Sequence, residues 1–272
     1  MVYGEIFRDK EFRKNALREE IGIEEEEEVP ERVVVTPLPL ARLLPKDFEG
    51  NLKKLGISTR KLEPKDAILN PLGGNLLLEK GKSKGLVAFI GRGLIEFTDR
   101  LRLLVSLEGI KDLLFTGLAG SLSEEIITGD INIPKYVVPF ENVSSFYASP
   151  SVAIPKADES LWREVYEYSI NNAKVKIHSS LHATVMLFYS ETIEFLTYLK
   201  SIGVSTVDME LSAFYSLSNL YGKRAVGILR ITDMPLIERH EFSEKFAELA
   251  KKKREDSVNL IFEIILKFFK MI

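Results

Sequence analysis

The chain has 272 residues, a formal net charge of −3, and 45% hydrophobic against 28% charged residues, which is the composition of a folded globular protein. The near balance of charges excludes a general electrostatic attraction to nucleic acid or to an anionic membrane surface. Cysteine is absent, which excludes disulfides, thiol nucleophiles and cysteine-ligated metal sites.

Two further absences concern stability and location. The sequence contains no glutamine, and a chain that lacks cysteine and glutamine but is rich in Lys, Glu and Arg is typical of heat-adapted proteins. No apolar stretch approaches the roughly 18 residues that a membrane helix needs. The polar N-terminus lacks the apolar core of a signal peptide. We therefore expect a cytoplasmic protein from a thermophile, without a membrane partner.

Residues 1–30 differ from the rest of the chain. The segment from Arg8 to Glu28 is densely charged and ends in a run of glutamates. Such a run is typical of a solvated arm or a short helix, while a tail that binds a partner is the alternative. We predict a charged N-terminal arm over 1–30 and a single domain over 31–272, because no linker rich in Pro, Gly or Ser interrupts the latter.

Strand and helix patterns alternate after Pro30. β-Branched and apolar runs predict strands at 32–36, 85–90, 113–116, 131–138, 174–178, 204–207 and 225–231. Apolar residues at helical spacing predict helices at 94–109, after Asp158, at 192–201, at 210–220 and from 243 onwards. We therefore predict a single-domain α/β fold with a central, mostly parallel or mixed sheet flanked by helices.

Three strand ends carry suggestive residues, and ligands of α/β sheets gather at the carboxyl ends of strands. Residues 116–121 form a glycine turn whose backbone N–H groups can approach a ligand, although such a pattern is usually only a turn. Glu210, between a strand and a helix, suits the vicinal hydroxyls of a ribose, or else it only complements the helix N-terminus. Asp233, among apolar neighbours, suits a general acid, or else it is an ordinary turn residue.

The order of these motifs resembles the nucleoside phosphorylase and nucleosidase superfamily. The segments that carry the resemblance are GLAGSL at 117–122, ITGDINIP at 127–134, LFYS at 187–190 and the stretch from VDMEL to ITD at 207–233. The chain is most similar to the hexameric, bacterial-type purine nucleoside phosphorylases. The similarity runs from about Val33 to the C-terminal helix, and residues 1–30 lie outside it.

The resemblance implies a role for each matching residue. Glu210 matches the carboxylate that holds the ribose hydroxyls, and Asp233 matches the acid that protonates purine N7 as the glycosidic bond breaks. This cleavage passes through an oxocarbenium-like state, so an acid at the far edge of the base stabilises its departure. The other matching positions are Phe188, which stacks on the base, Met209, which lies under the sugar, and the backbone of Ala119 and Gly120 beside the base.

The phosphate site is where the chain departs from the family pattern. The family's Gly-Asp-Pro-x-Arg segment corresponds to residues 36–42, which lack the glycine and contain two prolines without N–H donors. Phe115 stands where a second arginine is expected, and Leu118 stands where a hydroxyl is expected. Losing two charge-assisted donors weakens phosphate binding by orders of magnitude. The remaining candidates for phosphate binding are Arg42, Arg60 and Arg92.

Three functions stay open. The first is phosphorolysis of purine nucleosides to base and ribose 1-phosphate, the second is hydrolysis by water, and the third is nucleoside binding without catalysis. The resemblance implies a pentosyltransferase of purine salvage without metal or organic cofactor, with inorganic phosphate as co-substrate of the first function. It also implies a small-molecule nucleoside partner and a homo-oligomer, as a hexamer or a trimer of dimers. His182 is a weak site candidate and is more typical of a core or surface histidine.

The absence of glutamine also bears on the substrate. The uridine-specific branch of the family reads uracil with a glutamine and an arginine shortly after the aromatic residue that matches Phe188. Those positions are Thr192 and Glu194 here, and the chain has no glutamine to substitute. The resemblance and the composition together favour a purine base.

Overall fold

One mixed sheet with helices on both sides organises the molecule, which the computed structural model describes over residues 10–24, 29–63, 74–147, 154–186, 191–236 and 244–272. The strands in these ranges are β1 (Arg32–Thr36), β2 (Ser58–Leu62), β3 (Asn75–Lys80), β4 (Ser83–Phe89), β5 (Asp112–Ser121), β6 (Ile131–Asn132), β7 (Val137–Phe140), β8 (Ile177–His178), β9 (His182–Val185), β10 (Thr206–Asp208) and β11 (Arg224–Asp233). The helices are α1 (Lys10–Ala16), α2 (Leu40–Leu43), α3 (Phe48–Lys54), α4 (Leu94–Val105), α5 (Val143–Tyr147), α6 (Glu159–Asn172), α7 (Ile193–Ser201), α8 (Leu211–Leu220) and α9 (Glu244–Phe268), and a π-helical turn at Leu17–Ile21 follows α1.

The sheet branches at β5. The order across the sheet is β2-β3-β4-β1-β5-β10-β9-β7, while β11 pairs with β5 and β6, and β6 pairs with β8. β5 runs parallel to β1 over its first residues and parallel to β11 along most of its length, and its last residues pair antiparallel with β10. The carboxyl ends of β5 and β11 therefore meet beside β10, where a ligand of an α/β sheet is expected.

Side chains alternate along the central strands and divide the core between two sides of the sheet. Phe115 of β5 packs with α4 and α8, between the rings of Phe97 and Phe214 at 5.5 Å from each. Leu114 and Ile228 belong to the cluster on the opposite side, which α6 and α9 cover. We call these the α8 side and the α9 side of the sheet. The predicted α/β class with flanking helices is confirmed.

The strongly patterned elements lie close to their predicted bounds. The strand at 32–36 and the helix at 210–220 are present as β1 and α8, within one residue at each end. Asp158 begins α6 as predicted, and its Oδ1 accepts a hydrogen bond from Leu161 N–H at 2.9 Å. The elements α2, α3, β2, β3 and β9 were not predicted, because none of them has more than seven residues and their sequences carry no clear periodicity.

The predicted glycine turn at 116–121 is wrong, because β5 continues as a strand to Ser121. Gly117 and Gly120 instead lie in the sheet, where they pair with β11. A β-carbon at Gly117 would lie 2.7 Å from the ring of Phe115, so glycine is required here for close packing rather than for a turn. The single strand predicted at 131–138 is divided into β6 and β7, with Pro134, which has no N–H donor, between them.

Part of the N-terminal segment packs into the core. Leu17, Ile21 and Ile23 are almost completely buried and join the cluster on the α8 side. Asn75 Nδ2 donates to the Ile21 carbonyl oxygen at 2.7 Å, and Asn75 Oδ1 accepts from Phe89 N–H at 2.6 Å, which ties the segment to β3 and β4. The expected solvated arm is therefore wrong for residues 17–23. The last four glutamates of the run lie outside the described residues, and the boundary at residue 30 stays a prediction.

Candidate functional site

Two carboxylates, Asp208 and Glu210, lie at the junction of β10 and α8 and have different hydrogen-bond partners. Asp208 caps the helix, since its Oδ2 accepts from Leu211 N–H at 2.9 Å, and its Oδ1 accepts from Thr184 Oγ1 at 2.6 Å. Glu210 makes no side-chain cap to α8. Its Oε1 instead accepts from Gly93 N–H at 2.9 Å, at the start of α4. Glu210 is thus held across the end of the sheet and does not merely complement its own helix.

Burial controls the protonation of Glu210. The residue is 8% exposed, and this burial, together with the charge of Asp208, raises the pKa of Glu210 to about 8. Hydrogen bonds from the Gly93 and Met209 N–H groups and the charge of Arg92 oppose the change. At neutral pH the free protein therefore holds mainly a neutral carboxyl. Such a group donates one hydrogen bond and accepts others, which suits two adjacent hydroxyls.

A buried polar chain lies behind Asp208. His182 Nε2 is 2.9 Å from Asp208 Oδ1, without the alignment of a hydrogen bond, and both side chains are fully buried. Asn132 Nδ2 donates to Thr206 Oγ1 at 2.7 Å, and Thr206 Oγ1 lies 2.8 Å from His182 Nδ1. The hydroxyl therefore has its hydrogen to give to Nδ1, which favours the tautomer with N–H at Nε2, facing Asp208. His182 lies in the core, as is more typical for a histidine in this position, and supports the carboxylate that caps α8.

The end of β11 brings Asp233 beside the last residues of β5. The pairing of β11 with β5 shifts register between Ile231 and Asp233, and such an irregularity changes the direction of a side chain. Thr232 Oγ1 donates to Asp233 Oδ1 at 2.9 Å. A β-carbon on Gly120 would lie 3.5 Å from Asp233 Oδ2, so the two residues are in contact distance. The predicted group of Ala119, Gly120 and Asp233 is thus brought together.

Glu191 is a carboxyl group of this region that the sequence analysis missed. Burial, with a contribution from the charge of Asp233, raises the pKa of Glu191 to about 7. Because burial is the larger cause, Glu191 keeps its proton to a higher pH than an exposed glutamate does and is partly protonated at neutral pH. No periodicity or motif relates Glu191 to Asp233, because the fold alone brings them together. Glu191 can therefore supply a proton at the end of β11, near Asp233.

The three arginines predicted to bind phosphate do not form one group. Arg92 is exposed and lies near enough to Glu210 for its charge to lower the pKa of that carboxyl. Arg42 lines a cavity with Leu118 and Arg230. Arg60 lies on β2, which β3, β4 and β1 separate from β5, or about 19 Å across the sheet.

The remaining predicted positions have different surroundings. Met209 lies between Asp208 and Glu210, is partly buried and packs against the small apolar cluster around β9 and α7. Phe188 lies outside the described residues. Phe115 is completely buried between aromatic rings, so its position offers no access to an anion.

Two observations bound the chemistry of the part of the chain that the structure describes. Within it, no group of three or more His, Asp or Glu residues is placed to hold a metal ion. No helix in the same ranges is both long enough and apolar enough to cross a membrane.

Comparison with known proteins decides the family. A family model described as the phosphorylase superfamily matches residues 75–267, over two thirds of the chain and including both Glu210 and Asp233. The chain belongs to the phosphorylase superfamily. It is therefore a pentosyltransferase-type enzyme, in a family that binds small-molecule nucleosides.

Two relatives of this chain are described as purine nucleoside phosphorylases. The DeoD-type purine nucleoside phosphorylase of Bacillus cytotoxicus is 24% identical over 178 residues, which cover 65% of this chain and 72% of the relative. The protein of the same description from Bacillus thuringiensis strain Al Hakam is 25% identical over 177 residues, 65% and 71% of the two chains.

Among solved structures, the uridine phosphorylase of Vibrio fischeri ES114 gives a TM-score of 0.70 at 19% identity, covering 90% of this chain and 94% of that one. The purine nucleoside phosphorylase of Toxoplasma gondii, in complex with immucillin-H, gives 0.69 at 18% identity, covering 91% and 94%. These likenesses establish the fold of the superfamily for this chain.

Proposed function

We propose that the enzyme cleaves the N-glycosidic bond of purine nucleosides by phosphorolysis, giving the free base and ribose 1-phosphate. The observation that carries this proposal is the arrangement of Glu210, released from helix capping and held by Gly93 N–H, at the same sheet edge as Asp233. One group suits the sugar and the other suits the base.

The chemistry divides between these two residues. Glu210 binds the two ribose hydroxyls and holds the sugar as positive charge develops at C1′. Asp233, aided by the neighbouring Glu191, gives a proton to purine N7 while the electron pair of the C1′–N9 bond passes to the base. A phosphate oxygen then forms the new bond to C1′. In this scheme the protein needs no metal and no organic cofactor.

Two observations favour a purine over uridine. The curated relatives from two Bacillus species are described as purine nucleoside phosphorylases. The resemblance places Thr192 and Glu194 where uracil readout requires glutamine and arginine, and Thr192 is engaged as the N-cap of α7, its Oγ1 accepting from Phe195 N–H at 3.2 Å.

Hydrolysis is the second candidate, and the surroundings of Phe115 favour it. This residue replaces the expected phosphate-binding arginine and is enclosed by Phe97 and Phe214. Leu118 adds no hydroxyl at the other expected position. If no other cations bind phosphate next to the ribose, water becomes the nucleophile.

The test is release of base from adenosine and inosine, with uridine as the comparison, each with and without phosphate. Phosphorolysis requires phosphate for release and preference for the purines, whereas equal rates without phosphate establish hydrolysis. No release from any nucleoside would refute the proposed function.

Asp233→Asn tests the assignment of the acid, with Asp99→Asn on the exposed surface of α4 as the matched control. We expect the first variant to lose about 10²–10⁴-fold in turnover while it still binds nucleoside, and the second to keep wild-type rates. Full activity in Asp233→Asn would contradict the role of Asp233. A homo-oligomer in the cytoplasm is part of the same proposal, and sedimentation velocity measures the assembly directly.

A further inference from the structure

Residues 91–93 form the turn that leads into α4 and that holds Glu210, and we call them the 91–93 turn. Gly91 has a φ of +97° and Gly93 a φ of +75°, which are backbone conformations that other residues rarely adopt. Gly93 N–H donates to Glu210 Oε1 at 2.9 Å. The backbone conformation of this turn therefore decides where the donor to Glu210 lies.

Glu96, in the first turn of α4, forms a second hydrogen bond to the 91–93 turn. Its Oε2 accepts from Arg92 N–H at 3.2 Å, so two successive N–H groups of the turn donate to two different carboxyl groups. A β-carbon on Gly91 would lie 2.7 Å from the Glu96 side chain, which therefore packs directly against the backbone of the turn. A displacement of Glu96 removes this support from the turn that orients Glu210.

Arg100 holds Glu96 in this position. Its Nη1 donates to Glu96 Oε1, and a β-carbon on Gly91 would lie 2.6 Å from the same nitrogen. Only 7% of Arg100 is exposed, and a buried guanidinium needs carboxylates close by to offset its lost hydration. Its Nε donates to Glu20 Oε2 at 3.2 Å. Arg100 thus joins two carboxylates, one on its own helix and one from the N-terminal segment.

The backbone that carries Glu20 is anchored in the core. Glu20 lies in the π-helical turn at Leu17–Ile21, a rare geometry that often occurs at functional sites. The first and last residues of this turn are almost completely buried and belong to the cluster on the α8 side. Residue 20 lies outside the family-model match, whereas Glu96 and Arg100 lie inside it. Glu20 therefore links a segment outside the matched region to a turn within it.

We propose that Glu20 is a positioning residue for the sugar site. It acts through Arg100 and Glu96 on the 91–93 turn, whose last N–H group orients the carboxyl of Glu210. The inference rests on the proposed function, because that function assigns Glu210 to the ribose hydroxyls. Loss of the Glu20 carboxylate loosens Arg100 and then the turn, so that Glu210 no longer meets the sugar in a fixed orientation.

Hydrogen exchange followed by mass spectrometry, on the full chain without nucleoside, tests the positioning itself. Glu20→Ala should speed exchange of the N–H groups of the 91–93 turn by about tenfold, the factor expected for one lost charge-assisted hydrogen bond, and should leave β5 unchanged. Glu20→Gln keeps an oxygen that accepts from Arg100 and should exchange more slowly than Glu20→Ala.

Glu19→Ala is the matched control, because it removes an exposed carboxylate from the same π-helical turn. Its exchange in the 91–93 turn should equal that of the wild type. Unchanged exchange in Glu20→Ala, or equal acceleration in Glu19→Ala, would refute the positioning role. Equal acceleration in β5 and in the 91–93 turn would show a general loss of stability and would refute it as well.

Steady-state kinetics connect the turn to the sugar, with inosine or adenosine as substrate, whichever the wild type cleaves faster. Glu210 binds the ribose before and during cleavage, so we expect Glu20→Ala to raise KM about tenfold and to change kcat less than about threefold. Glu19→Ala should keep both constants. A lower kcat at unchanged KM is what loss of folded enzyme produces, and it would refute the proposal. Absence of base release by the wild type would refute the proposed function, while hydrogen exchange still decides whether Glu20 positions the turn.

Discussion

Replacing Glu210 by glutamine should change how the stability of the protein depends on pH. The pKa of Glu210 is about 8 in the folded chain and about 4.5 in the unfolded chain. Between these values the folded state holds a proton that the unfolded state has released. The stabilisation from the buried neutral carboxyl is therefore complete below pH 4.5 and is lost as the pH rises to 8.

The size of the effect follows from the same two values. At about 1.4 kcal/mol for each pH unit between them, the wild-type protein loses up to about 5 kcal/mol of unfolding free energy that Glu210→Gln does not lose. Solvent screening reduces this loss of unfolding free energy only slightly, because Glu210 is only 8% exposed. Titrating groups that do not act on Glu210 contribute equally to both proteins, so the difference between them reports Glu210 together with Asp208, whose charge acts on it.

Urea unfolding followed by circular dichroism, at intervals from pH 5 to pH 9, measures the difference. We expect the free energies of the two proteins to diverge by several kcal/mol across this range, with glutamine relatively more favourable at high pH. Glu255→Gln, on the exposed surface of α9, should run parallel to the wild type. A difference between wild type and Glu210→Gln that does not change with pH would refute the burial argument.

Two further predictions concern the acid pair and the central strand. Base release should decline above about pH 7, where Glu191 loses its proton, and Glu191→Gln should move this decline to lower pH in a pH–rate profile. An unchanged profile would contradict the contribution of Glu191, and Glu167→Gln, on the exposed face of α6, serves as control. Gly117→Ala places a β-carbon 2.7 Å from the ring of Phe115 and should destabilise the protein by about 1–3 kcal/mol in urea unfolding. Gly109→Ala meets no atom closer than 3.9 Å and should differ little, so equal effects of the two would contradict the steric explanation.

Local patterns were enough to predict the main elements of the fold. For these elements the structure follows from residues that are close in sequence. Examples are the β-branched run at 32–36, the apolar stripe at 210–220 and the helix cap at Asp158. The same reasoning wrongly predicted a turn at residues 116–121, because a glycine that permits close packing cannot be distinguished in sequence from a glycine that permits a turn. Only the position of Phe115 next to Gly117 in the sheet distinguishes the two cases.

The sequence was enough to name single residues as candidates for a role. It was not enough where the role depends on which residues the fold brings together. Glu210 and Asp208 are both carboxylates at the start of one helix. Only their hydrogen bonds show that Asp208, which accepts from Leu211 N–H, caps the helix and that Glu210 accepts from Gly93 N–H instead. The approach of Glu191 to Asp233 and the joining of Arg42 with Arg230 are tertiary contacts between distant segments. No spacing along the chain encodes them.

The family-model match and the sheet begin at different residues, because β1 lies before the start of the match. The family model begins at residue 75, yet β1 at Arg32–Thr36 lies between β4 and β5 in the middle of the sheet. A fragment that starts at residue 75, where the family model starts, would lack β1 and leave β4 and β5 each with an unpaired edge, which invites aggregation. The stretch of chain that the family model matches is therefore shorter than the stretch that pairs within the sheet. Gene fusions and truncations of this enzyme should therefore keep β1 and should not begin at residue 75.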